Sequence, residues 1–149
     1  MRKLIAYMIT WTTYGTWLQG DERGYVKDGE TLGPDKQLKY ANQILQKHKS
    51  IRFTETQKQI VKNAIIQTAQ KNNQRILAIS VCSNHIHVVA ETASLPIEQT
   101  VHKYKRMSTL FLKNAGLNGK IWSKGFDKRF CYTEKEIINR IEYVNKHND

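Results

Sequence analysis

Cysteine is scarce in this chain, and so are the structures that cysteine usually builds. Cys82 and Cys131 stand far apart, with no Cys-x-x-Cys pair, which argues against a zinc knuckle or a disulfide framework. Both fall in β-prone stretches and read as small core residues. No apolar run approaches the ~20 residues that a membrane span requires. The start, Met1-Arg2-Lys3-Leu4-Ile5-Ala6, has charge followed by apolar residues but no small-residue cleavage site, and Thr10, Thr12 and Thr13 interrupt it too early for a signal sequence. These absences point to a cytoplasmic protein with no membrane partner. Internal repeats and low-complexity segments are also missing. Acidic residues are the last shortage: 13 Asp and Glu face 24 Lys and Arg, a formal net charge of +11. That excess suggests a polyanionic partner, most simply nucleic acid, although a basic soluble protein without such a partner would carry the same charge. The basic residues are spread along the chain, which fits a membrane-surface helix poorly.

What is present is ordinary for a globular protein. At 149 residues, 40% hydrophobic and 25% charged, the chain fits one domain over 1–149 with a real core. Lys3 to Trp11 is apolar and β-prone and reads as a first strand. Thr12 to Gly33 carries Gly15, Gly20, Gly24, Gly29 and Gly33 among polar residues and reads as a loop. Leu38, Ala41, Leu45 and His48 have helical spacing and predict a short helix over 35–49. Thr54-Glu55-Thr56-Gln57 matches a capping box, opening a helix to about Asn72 with Val61, Ala64, Ile65 and Thr68 on one face. Arg75 to Cys82 and His85 to Glu91 are β-prone runs separated by Ser83-Asn84, the pattern of a hairpin. Pro96 opens a further helix. Its predicted core face is Ile97, Val101, Tyr104, Ser108 and Phe111, with Lys103, Arg106 and Lys113 opposite. A short strand over Lys128 to Tyr132 follows, then a second capping box, Thr133-x-x-Glu136, and a helix to the end. The order strand, helix, strand, strand, helix, strand, helix predicts an α+β protein. Its first six elements match the ferredoxin-like β-α-β-β-α-β arrangement, an antiparallel sheet with helices on one face.

Two features carry chemistry. In His85-Ile86-His87, strand alternation sends both histidines to one face and Ile86 to the other. Two imidazoles one strand period apart can share a divalent cation, though such pairs also arise by chance. In the last helix Tyr143 and His147 stand at i and i+4, one turn apart on one side, while Ile137, Ile138, Ile141 and Val144 take the other. A tyrosine there is ordinarily a surface residue; a polar helix face presented to a two-histidine strand changes that weighing. A tyrosine hydroxyl can attack a phosphodiester to form a covalent phosphotyrosine, and a bound cation can stabilise the charge that develops on the phosphate. Tyr104 and Tyr132 are alternative nucleophiles whose periodicity favours the core. Lys103, Lys105, Arg106 and Lys113 are candidate phosphate contacts, although a solvated charged face explains any one of them as well. Trp11, Tyr14 and Trp17 could stack on unpaired bases or anchor their loop to the sheet. His102 reads as solvated and His48 as partly buried.

The stretch Cys82-Ser83-Asn84-His85-Ile86-His87-Val88-Val89-Ala90-Glu91 resembles the histidine-hydrophobic-histidine (HUH) signature of the single-tyrosine transposases. Trp11-Thr12-Thr13-Tyr14-Gly15-Thr16-Trp17-Leu18-Gln19-Gly20-Asp21-Glu22-Arg23-Gly24 resembles a block in their REP-associated relatives, often called RAYTs. Ile121-Trp122-Ser123-Lys124-Gly125-Phe126 resembles the segment before their final strand, and Ile141-Glu142-Tyr143-Val144 falls where that family keeps its nucleophile. The resemblance spans nearly the whole chain, and its ordered blocks are more specific than any one of them. It implies a ferredoxin-like fold with a C-terminal tyrosine helix, cutting single-stranded DNA at or near a hairpin with Mg²⁺ or Mn²⁺. It further implies His85 and His87 as metal ligands, Tyr143 as the residue joined to the 5′ phosphate, and a nucleoid-associated place in the cytoplasm. The third ligand in such enzymes often lies one turn after the tyrosine, where His147 stands and relatives often have Gln or Asn; histidine suits Mn²⁺ better than Mg²⁺. The family often forms homodimers, and some members supply the tyrosine helix in trans. Many relatives continue past the tyrosine helix with an Asn-Pro motif and a tail, whereas this sequence stops at Asp149. A replication initiator or relaxase shares the histidine pair and is a second reading, and a domesticated nucleic-acid-binding module without catalysis is a third.

Overall fold

A computed structural model describes residues 2–16, 26–27, 30–31 and 50–147, the two short central segments by their backbone alone. The helix expected over 35–49, with His48, and most of the glycine-bearing loop lie outside the described residues, as does Trp17. Four strands, β1 (Ala6–Thr12), β4 (Ile76–Val81), β5 (His85–Glu91) and β6 (Asp127–Cys131), form one antiparallel sheet in the order β4-β5-β1-β6. A two-residue pair, β2 (Val26–Lys27) and β3 (Glu30–Thr31), stands apart as its own ribbon. The helices of the described residues are α1 (Glu55–Lys71), α2 (Ile97–Asn114) and α3 (Glu134–Asn145).

Sheet pleating divides the molecule into two layers of packing. Tyr7, Ile9 and Trp11 of β1 and Ile86, Val88 and Ala90 of β5 meet Val61, Ile65 and Ala69 of α1 and Val101, Tyr104 and Leu112 of α2 in the main core. Met8, Ala78 and Val89 point the other way, onto Val144 of α3. Because β1 is central and covered on both faces, all seven of its residues are buried, which is why it reads as a continuous apolar run rather than an alternating one. The fold is the expected ferredoxin-like one: α1 and α2 share one face, and the tyrosine helix covers the other.

Local chemistry explains where the elements begin. Thr54 Oγ1 accepts from Gln57 N while Gln57 Oε1 accepts from Thr54 N, a complete capping box that satisfies two otherwise unpaired N–H groups. At Thr133 the arrangement differs: its hydroxyl accepts from Glu136 N, but the Glu136 carboxylate reaches back to Tyr132 N. In α2 the buried ridge ends on Leu112, not on the expected Phe111, which lies half-buried on its flank. Ile138 also departs from expectation, being 54% exposed. Six residues at about 100° each put it about 120° round the helix from Val144, beyond the narrow strip of α3 that the sheet covers.

Among the described residues, Gly15 is the glycine whose freedom the packing demands. It has φ +83°, and a Cβ placed there would stand 2.9 Å from Cα of Ser50. Tyr14 O accepts from Ile51 N at 3.0 Å, and Thr13 Oγ1 donates to Ile51 O at 2.6 Å, so the two segments cannot easily part. Gly15→Ala is expected to lower stability by about 1–3 kcal/mol, measurable as a shifted urea midpoint with an unchanged m-value; an unaltered midpoint would show that the segments separate without cost.

Candidate functional site

The hairpin fixes the two strand histidines. Its turn is two residues long, closed by Cys82 N donating to His85 O at 2.9 Å, and is tied down by Thr13 N donating to Asn84 O and Phe53 N to Ser83 O. Ile86 therefore enters the main core while His85 and His87 face α3. In register beside His87 lie Thr10 on β1 and Ser80 on β4.

The last helix brings the remaining groups. Val144, its single buried residue, seats it on Met8, Ala78 and Val89, and Ser80 Oγ donates to the carbonyl of His147. That places the His147 ring 4.5 Å from His87 and 5.9 Å from His85, centroid to centroid, with His85 and His87 4.9 Å apart. One ligand nitrogen from each of the three lies within 4.8 Å of the others. Tyr143 lies tilted against His147, ring centroids 4.4 Å apart, and meets His87 edge-on at 5.5 Å, with 43% of its surface exposed. Tyrosine helix and histidine strand thus meet within one chain.

Each imidazole is oriented through its Nδ1. Asn84 Oδ1 and the carbonyl of Tyr143 can only accept, so Nδ1 of His85 (2.7 Å) and of His147 (3.2 Å) each carry the proton, which leaves the lone pair on Nε2. Nδ1 of His87 contacts Thr10 Oγ1 at 2.8 Å, and with the threonine accepting, its Nε2 presents a lone pair too. That Nε2 is buried and has no hydrogen-bond partner. A buried polar atom without a partner is costly and calls for an explanation. A cation shared by three imidazoles, each steadied by an oxygen behind it, supplies one.

Electrostatics agree with this arrangement. Burial, reinforced by the neighbouring His85 and His147, lowers the His87 pKa from 6.5 to about 4, so the ring is neutral and able to ligate at neutral pH. The linkage sign follows. Between pH 6.5 and 4 the unfolded chain binds a proton at His87 that the folded chain refuses, so stability is full above pH 6.5 and is lost as pH falls through 4. In metal-free protein the loss due to His87 is expected to be on the order of 2 kcal/mol after allowing for water near the site. Chelator-treated protein melted across that range should show the decline, and His87→Gln should flatten it; an equal decline in the variant would assign it to other groups.

The other expected site residues fall in several places. Lys103, Arg106 and Lys113 are exposed on α2, across the sheet from the histidines. Lys105, on the same helix, donates to Ser123 O at 3.0 Å and Gly125 O at 2.7 Å and so fastens the segment before β6 to α2. Trp11 does not reach DNA as expected: fully buried, it stacks on Tyr104 and meets Trp122 edge-on, because strand alternation points it, with Tyr7 and Ile9, into the helix layer. Tyr14 is half-buried with Lys120 Nζ 4.8 Å from its ring centre. Tyr104 is a core residue whose hydroxyl donates to Gln74 Oε1. Tyr132 is half-buried under Arg2 and so less a core residue than its position in the sequence suggests. His102 is exposed. Thr10, Ser80 and Asn84 also belong to the site, and the sequence alone does not place them there. Only Asn84 had a signal, as the neighbour of His85 in the turn.

Comparison with known families matches residues 36–147 to the family described as "Transposase IS200 like". Comparison with curated protein sequences gives no match. Among solved structures, the REP-associated tyrosine transposase bound to a REP hairpin is similar, with a TM-score of 0.56 and 16% identity over 97% of this chain and 67% of that one. A Deinococcus radiodurans R1 protein assigned as a transposase has a TM-score of 0.51 and 14% identity over 100% of this chain and 95% of that one. Both likenesses speak for the fold. Among the described residues no helix is long and apolar enough to cross a membrane.

Proposed function

The chain belongs to the IS200-like transposase family, and from that premise we propose that it nicks and rejoins single-stranded DNA through a phosphotyrosine formed on Tyr143. The observation that carries this reading is the convergence of Tyr143 on a cluster of three histidines, one of which buries a nitrogen that no protein group satisfies.

In the proposed reaction the Tyr143 oxygen bonds to the scissile phosphorus as the bond to the 3′ oxygen breaks. The 5′ end stays on the enzyme as a phosphotyrosine diester, and the departing 3′ oxygen takes up the proton that balances the one lost by the phenol. The reverse attack, by a 3′ hydroxyl of the same or another strand, restores the tyrosine and joins the DNA. His85, His87 and His147 would hold a divalent cation, which when bound polarises the phosphate and stabilises its developing charge. Three imidazole ligands would favour Mn²⁺ over Mg²⁺ at this position. Thr10 and Asn84 orient two of the rings, and Ser80 holds the end of the tyrosine helix against the sheet.

The similar transposase whose structure holds a REP hairpin supports a hairpin-ended strand as the substrate. On that reading Lys103, Arg106 and Lys113 of α2, with Tyr14, contact DNA away from the cleaved phosphate, and Lys105 positions the adjoining loop. A homodimer is the expected assembly. The test is incubation of labelled hairpin-bearing single strands with the protein and Mn²⁺, followed by denaturing electrophoresis. A metal-dependent adduct that survives denaturation supports cleavage through a covalent intermediate; tight binding with no adduct on any cleavable strand favours a binding module.

A further inference from the structure

Next to the histidine cluster a cleft of about 260 Å³ runs round β4, the edge strand of the sheet among the described residues. Lys58 and Lys62 of α1 line one wall with Glu55; Asn145 and His147 line the other, and Ser80 lies between. His147 therefore belongs to both the cleft and the cluster, so a chain of phosphates that passes over the histidines has this cleft as its continuation.

The charges in the cleft are unusual in their burial. The Lys58 side chain is only 10% exposed, and its ammonium pairs at 2.9 Å with a Glu55 carboxylate whose side chain is 86% exposed. Lysine is rarely buried to this degree. The burial holds the ammonium at the cleft wall, while the Glu55 side chain stands in water. Lys62, one helical turn further along α1 and half-buried, adds a second cation on the same side. A polar trough with two lysines on one wall, the Asn145 amide on the other and the Ser80 hydroxyl between them suits a phosphodiester backbone better than it suits an apolar ligand.

We propose that this cleft is the track for the single strand immediately beside the scissile phosphate, with Lys58 and Lys62 binding its backbone phosphates. The proposal rests on the reading of the three histidines and Tyr143 as the cleavage centre. It assigns the two lysines a part in binding and in aligning the strand, and none in the chemistry.

The test uses full-length Tyr143→Phe protein, in which cleavage does not consume the probe, and a labelled oligothymidylate of about a dozen nucleotides. Binding is followed over a range of salt concentrations. Lys62→Gln should weaken binding roughly fivefold at 0.1 M salt and flatten the slope of log affinity against log salt by roughly 0.7, the value for one phosphate contact on a single strand. Lys62→Arg should restore the slope, and Lys71→Gln, at the far end of α1, should leave it alone. Lys58→Gln should repeat the Lys62 result; if it unfolds the protein, Lys62 alone decides. A slope unchanged in Lys62→Gln, or lowered equally in Lys71→Gln, would overturn the proposal. Mn²⁺ titration of the same variants separates the two levels. Loss of slope in a protein that binds no Mn²⁺ keeps the track and removes the metal reading, whereas normal Mn²⁺ binding with an unchanged slope does the reverse.

Discussion

Tyr143→Phe is expected to lower covalent adduct formation by roughly 10⁴-fold or more, the scale on which nucleophile removal acts in covalent catalysis, while folding and DNA binding persist. The substitution deletes one oxygen and keeps the ring that packs on His147. Because Tyr143 is 43% exposed, its stability cost should stay within about 0.5 kcal/mol. Denaturing electrophoresis reads the adduct, and gel shift under native conditions reads binding. Tyr104 offers no substitute. The Tyr104 hydroxyl is buried and committed to Gln74, and burial beside Tyr7 raises its pKa, so it can neither reach a phosphate nor ionise readily. An adduct that persists in Tyr143→Phe would transfer the chemistry to another tyrosine and dissociate the last helix from the reaction.

Removing His87 should have the second largest effect. Replacing an outer partner of a metal ligand typically costs 10–100-fold in affinity, so loss of the ligand itself should weaken Mn²⁺ binding by at least about 100-fold. His87→Ala should therefore abolish adduct formation at micromolar Mn²⁺, with partial recovery only at much higher concentrations. Calorimetric titration gives the affinity directly. The choice of His87 over its neighbours follows from burial: it is 5% exposed, it touches both other rings, and its Nε2 lacks a protein partner. Equal Mn²⁺ affinity in wild type and variant would mean that the cation, if there is one, binds elsewhere.

How far the sequence leads differs between fold and site. Strand alternation alone places His85 and His87 together and Ile86 opposite, and the i, i+4 relation alone places Tyr143 beside His147; both depend on local geometry, which a sequence pattern carries well. The capping box at Thr54 likewise locates the start of α1 to the residue. What the pattern does not carry is register between distant strands. Thr10 stands beside His87 because β1 and β5 pair in one of several possible alignments, and 77 residues separate the two. Trp11 shows the same gap from the other side. With Tyr14 and Trp17 it forms an aromatic series suited to stacking on bases, yet its place near the end of a strand covered on both faces sends it into the core. Lys105 reads as a phosphate contact or a solvated charge in a helix pattern, and only tertiary packing turns it into a clasp on the loop before β6.

The most direct test of the phosphotyrosine reading is to digest the wild-type adduct, formed on a hairpin-ended single strand with Mn²⁺, with protease and nuclease and to sequence the modified peptide by mass spectrometry. The expected result is a nucleotide linked through its 5′ phosphate to Tyr143, present with Mn²⁺ and absent when the metal is chelated. A nucleotide on any other residue, or the same yield of adduct in the chelator, would contradict it.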